Sequence, residues 1–84
     1  MRPRKAVALS YSRDDEAPRI EARGTGLVAD RIVSLAREAG VPVVENAPLA
    51  ELLGTLDYGT IIPEPYWEAV AGVLALVMEL EEGI

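Results

Sequence analysis

The residues able to do chemistry in this chain lie in few places. Gly24-Thr25-Gly26-Leu27-Val28-Ala29 matches G-x-G-x-x-A, and Glu45 stands 19 residues beyond Gly26. In a dinucleotide-binding fold such glycines bring the backbone close to a pyrophosphate held on helix-start amides, while the acid takes a ribose hydroxyl. Asp14-Asp15-Glu16 sets three carboxylates side by side. That is the ligand type of a hard cation, but without the further ligands and spacing of a calcium loop it reads as a solvated hairpin turn. Histidine and cysteine are absent. Imidazole proton relays, Ser-His-Asp and Cys-His nucleophiles, disulfides and thiolate metal sites are therefore excluded. The one lysine, Lys5, is near the terminus. We expect no enzyme, no cofactor and no metal.

The glycine fingerprint needs a particular setting: a buried strand before it and two crossover units to form a crevice. Arg19-Ile20-Glu21-Ala22-Arg23 is too polar for a buried central strand, and the chain has room for one crossover. Gly24 and Gly26 then serve a tight turn into a helix. A small dinucleotide- or phosphate-binding module using Gly24-Thr25-Gly26 stands as the alternative reading.

The elements that must position these residues follow from periodicity. The 84 residues, half of them apolar and 26% charged, suit a single domain over 1–84. Lys5 to Tyr11 reads as a strand apolar on both faces, hence covered on both sides. Ser12 to Glu16 is a polar turn, and Pro18 to Arg23 alternates as a half-exposed second strand of an antiparallel hairpin. A helix is expected over Thr25–Ala39, with Val28, Ile32, Leu35, Ala36 and Ala39 on one stripe, Thr25 as N-cap and Gly40 at the left-handed C-terminal position. Val41 to Glu45 reads as a third strand, parallel to the second because a crossover helix joins them. Asn46 caps a short helix from about Pro48 to Leu56. Ile61 to Pro65 cannot be helical throughout. A last helix is expected over Pro65–Glu81. The fold class is thus α/β: a small mixed β-sheet of about three strands, a hairpin plus one parallel βαβ crossover, flanked by about three helices.

The last helix is apolar nearly all round. Trp67, Val70, Ala71, Leu74, Val77 and Met78 form one stripe; Tyr66, Ala69, Val73, Leu76 and Leu80 form another. Such a helix must be enclosed on all sides or meet another molecule. Charge is also uneven. Residues through Arg37 hold all eight bases and five acids, net +3; from Glu38 onward there are nine acids and no base, net −9. A solvated acidic face or an oriented docking surface both account for that. The basic end has no interleaved aromatics, so nucleic acid is not expected as a partner. The longest apolar-rich run, Ala69 to Met78, is about half a membrane span, and we expect a cytoplasmic protein.

Taken in order, the segments resemble a known family. They are Ala6-Val7-Ala8-Leu9-x-Tyr11, Ala17-Pro18-Arg19-Ile20, Arg23-Gly24-x-Gly26-Leu27-x-Ala29-x-x-Ile32, Gly40-Val41-Pro42-Val43-x-Glu45-Asn46-x-Pro48-Leu49-Ala50, Gly59-x-x-Ile62-Pro63 and Ala69-Val70-Ala71-x-Val73-Leu74-Ala75. The set resembles the cytoplasmic C-terminal domain of the FlhB/YscU family, the export-switch proteins of bacterial flagella and type III secretion. Full members carry four transmembrane helices before this domain and an autocleaving Asn-Pro-Thr-His motif. Here Met1, Arg2, Pro3 and Arg4 stand at that motif, so self-cleavage by its asparagine is not expected. The resemblance is to a stand-alone, FlhB-like copy of the processed fragment; a fragment of a longer chain would read the same way. It implies a missing sheet strand, hence an open edge. It also implies an apolar pocket for short hydrophobic segments of early export substrates, carried over to Ala17, Pro18, Ala71 and Leu74, although ordinary core packing explains Ala71 and Leu74 equally well. The function so implied is that of a non-enzymatic adaptor, peripheral at the inner-membrane export gate. Its implied partners are a full-length FlhB-type membrane protein, an FlhA-type cytoplasmic domain and early export substrates.

Overall fold

A computed structural model describes residues 4–12 and 14–82. Arg13 of the expected turn, and Met1, Arg2 and Pro3 at the cleavage-motif positions, lie outside the described residues. The hairpin forms as its alternation requires. Strand β1 (Lys5–Ser10) pairs antiparallel with β2 (Arg19–Thr25). The register runs from Lys5 opposite Thr25 to Ala8 opposite Ala22, then slips, so that Leu9 faces Ile20 and Glu21 is the extra residue. This bulge matters because directly opposed residues share a face. Ala22 and Gly24 stay with Ala8 and Ala6, while Ile20 joins Leu9 on the opposite face. There Val7 and Leu9 pack against the fully buried Ile20. The Ser10 hydroxyl donates to the Glu21 carboxylate at 2.6 Å, holding the extra residue outward.

Helix α1 (Leu27–Glu38) covers the other face and begins later than expected. Thr25 is not its cap; it ends β2. The Gly26 N–H extends the ladder by donating to the Arg4 carbonyl at 2.7 Å, so the chain can turn only at Gly26 itself, with φ of 64°. Glycine alone takes that conformation without strain. Gly24 has a different task. A Cβ there would overlap the Val28 side chain, 2.9 Å from its Cβ, and come within 3.2 Å of Ile32. Its missing side chain lets α1 lie close on the sheet. At the far end Gly40, with φ of 75°, closes the helix as anticipated. The Val41 N–H reaches the Ala36 carbonyl at 2.8 Å and the Gly40 N–H reaches Arg37 at 3.2 Å, the double bond of a Schellman end.

That ending removes the expected third strand. Val41 to Glu45 is extended loop, and the sheet of the described residues has two strands, with no parallel crossover. The physical reason is a shortage of donors. Val41 gives its N–H to the helix, and Pro42 has none, so the first two residues of the segment cannot donate to a ladder and at most three residues are left to form one. The place beside β2 is taken by Ile61, which bridges Arg19 in antiparallel sense. Ile20 N–H donates to Thr60 O at 2.9 Å, Gly59 N–H to Ile20 O at 2.8 Å and Ile62 N–H to Pro18 O at 2.8 Å.

Helix α2 (Ala47–Leu53) is capped by Asn46, whose Oδ1 accepts from the Leu49 N–H at 3.1 Å, with Pro48 in the first turn. It stops three residues before the expected Leu56. A 3-10 turn over Glu64–Tyr66, rather than α-helix from Pro65, leads into α3 (Trp67–Glu82). Ile20, Leu53, Ile62 and Val70 form the buried centre, with Val7, Leu9, Leu49, Leu56, Tyr66 and Leu74 packed around it. The α/β class with helices about a small sheet therefore stands, with the parallel third strand withdrawn. Among the described residues β1 carries no strand on its outer side.

Candidate functional site

The last helix is not enclosed. Val70 is fully buried and Leu74 packs on the core, but Ala69, Ala71, Gly72 and Ala75 are exposed, as are Leu76 (44%) and Met78 (59%). One exposed stripe borders a groove of about 260 Å³. The facing wall comes from the link between β1 and β2: Tyr11, Glu16, Ala17 and Pro18. The helix supplies Trp67, Val70, Ala71, Leu74, Ala75 and Met78 at intervals of three and four, which places them along one side.

The four residues singled out from the sequence, Ala17, Pro18, Ala71 and Leu74, all line this groove. Their burial separates them. Ala17 (5% exposed) and Pro18 are buried. Leu74 is half-buried and belongs in part to the core, whereas Ala71 is exposed and does no core packing. Sequence reasoning did not assign Tyr11, Glu16, Trp67, Val70, Ala75 or Met78 to the site. The helical stripe containing Trp67, Val70 and Met78 was the signal available for three of them. Tyr11 and Glu16 carry no periodic signal, because only the hairpin brings them to the helix.

The groove is held open by fixed contacts. Pro18 ends the loop and its carbonyl accepts from Ile62, which locks the floor to the core. The Trp67 indole N–H donates to the Ile62 carbonyl at 2.6 Å, which sets the ring at the mouth, 41% exposed. The loop before Ala17 is braced by Asp15, whose carboxylate accepts from the Ser12 N–H at 2.9 Å and hydroxyl at 3.1 Å. Asp15 is thus engaged in the turn. Chemically the groove offers apolar surface with little polar interruption.

The glycine fingerprint has no nucleotide geometry behind it. Gly24 sits inside β2 opposite Ala6, and Glu45 lies in a loop rather than at the end of a parallel strand. Among the described residues no parallel crossover strand forms to make the crevice that a dinucleotide requires.

Known proteins bear on this arrangement. A family model described as the FlhB HrpN YscU SpaS Family matches residues 3–77. The chain is 44% identical over 82 residues to YlqH of Bacillus subtilis, covering 96% of this chain and 88% of that one. It is 41% identical over 78 residues to the flagellar biosynthetic protein FlhB of Helicobacter pylori, covering 92% of this chain but 22% of that protein. The chain thus spans about a fifth of the flagellar relative's length. Among solved structures, the cytoplasmic domain of FlhB from Shewanella putrefaciens superposes with a TM-score of 0.86 at 37% identity, over 93% of this chain and 65% of that one.

Proposed function

The chain belongs to the FlhB HrpN YscU SpaS family, and from that membership we propose that it serves flagellar or type III protein export as a non-enzymatic adaptor. It acts by gripping short apolar segments of export substrates or gate components in the groove between the Ala17-Pro18 loop and α3. The observation that carries this reading is the convergence of Ala17, Pro18, Ala71 and Leu74, from two distant parts of the chain, on one open apolar groove. Burial of apolar surface would supply the affinity, at about 25 cal/mol per Å² before the costs of association. Reaction chemistry has no part in it. The only asparagine, Asn46, is followed by Ala47 and is engaged as a helix cap, so no Asn-Pro bond is present to cleave.

Partners consistent with this are a full-length FlhB-type membrane protein, an FlhA-type cytoplasmic domain and early export substrates. Action at the cytoplasmic side of the export gate fits the likeness to an FlhB cytoplasmic domain. Among the described residues no helix is long and apolar enough to cross a membrane. Pull-down with purified export components tests the proposal. We expect capture of at least one component by the wild-type chain and loss of that capture in Ala71→Gln, which fills the groove from an exposed position. Failure to bind any component, or capture that Ala71→Gln leaves intact, would overturn the groove as the working surface.

A further inference from the structure

The polar groups at the groove specify more than apolarity. Two of those nearest it are already committed: the Trp67 N–H to the Ile62 carbonyl, and the Pro18 carbonyl to the Ile62 N–H. Asp15 is held by Ser12. What remains on the lining is the carboxylate of Glu16 and the hydroxyl of Tyr11. Glu16 is exposed, with no hydrogen bond or ion pair among the described residues. Among the described residues no base lines the groove. The nearest in sequence beyond Pro18, Arg19, spends its guanidinium on the Gly59 carbonyl at 3.2 Å. The opposite wall belongs to the half of the chain that has acids and no base, with Glu68 and Glu79 exposed on α3.

An apolar floor bordered by a carboxylate that has no partner among the described residues discriminates by charge. A ligand with a cation next to its apolar residues gains an ion pair at Glu16. One with a carboxylate there meets repulsion from Glu16. We propose that the groove selects a peptide segment whose short apolar run is directly flanked by lysine or arginine, with Glu16 as the residue that sets this preference. This rests on the groove being the recognition site proposed above and names the class of segment it takes. The ion pair is partly exposed, so its effect is modest and fades with salt.

The test uses the 84-residue chain and three synthetic peptides sharing a Leu-Ala-Ala-Leu-Val core, flanked by two lysines, two serines or two glutamates. Trp67, the only tryptophan, lines the groove and reports binding by fluorescence. At low salt we expect affinity to fall from lysine to serine to glutamate, by about threefold per step, the range of a single exposed ion pair. The lysine-to-serine ratio should fall toward one in Glu16→Gln. It should hold in Glu45→Gln, which removes the same charge away from the groove. Equal affinities for the three peptides, or a ratio lowered as much by Glu45→Gln as by Glu16→Gln, would overturn the charge selection while leaving the groove reading standing. If none of the three peptides binds, both fall together.

Discussion

Two regions of this molecule are both rich in apolar residues and meet opposite fates. Ile20, Leu53 and Ile62 come from a strand, a helix and a loop, and they close on one another until water is excluded. Helix α3 is richer still in apolar residues, yet among its described side chains only Val70 is completely buried, and Leu76 and Met78 are left in water. The difference is one of tethering. Residues 18–20 and 59–62 are laced by backbone hydrogen bonds, so their side chains are drawn to one point. Helix α3 is attached mainly through its first turns, by Trp67, Val70 and Leu74; beyond them Val77 is only half-buried and Ala75, Leu76 and Met78 are exposed. Excess hydrophobicity in the first region becomes stability. In the second it becomes surface available to a partner.

Truncation at the buried centre tests that contrast most severely. Ile62→Ala should cost about 2–5 kcal/mol, against a total of about 4–12 kcal/mol for a domain of this size, as read from urea unfolding. A cost below about 1 kcal/mol would mean the centre is not the stabilising region. Gly24→Ala is the next largest: wedging a methyl group into Val28 should cost about 1–3 kcal/mol as overpacking. Val28→Ala in the same chain should restore much of it. The boundary between the two regions is probed by Leu74→Asp, which touches both. Placing a carboxylate at a half-buried core contact should cost about 1–3 kcal/mol and also remove binding, so it cannot separate fold from function by itself. Ala71→Gln can. At an exposed helical position it should shift stability by no more than about 0.5 kcal/mol while abolishing partner capture. A large loss of stability there would erase the distinction between the regions.

Local signals in the chain decide its structure where a single residue type suffices. Asn46 caps α2, Gly40 ends α1 in the left-handed conformation, and the hairpin pairs as its alternation demands. Thr25 misled because cap preference competes with strand pairing, and a bond from Gly26 to Arg4 extended the strand past it. Val41 to Glu45 misled because β-branched composition says nothing about whether donors remain. The Schellman bond of Val41 and the missing N–H of Pro42 took away those of its first two residues. The bulge at Glu21, which sends Ile20 to the core, has no signature in a run that alternates evenly on either side of it.

By itself the sequence determined the family resemblance, the helices and hairpin, the absence of histidine and cysteine chemistry, and the surplus of apolar residues in the last helix. Those depend on residue identity and on spacing along the chain. Only the tertiary structure decided that one stripe of that helix stands open, that Ala71 is exposed while Leu74 leans into the core, and that Glu16 stands at the groove edge with no partner among the described residues. These depend on which distant segments meet, here residues 11–18 and 67–78, and so on hydrogen bonds and packing between parts of the chain that periodicity cannot relate.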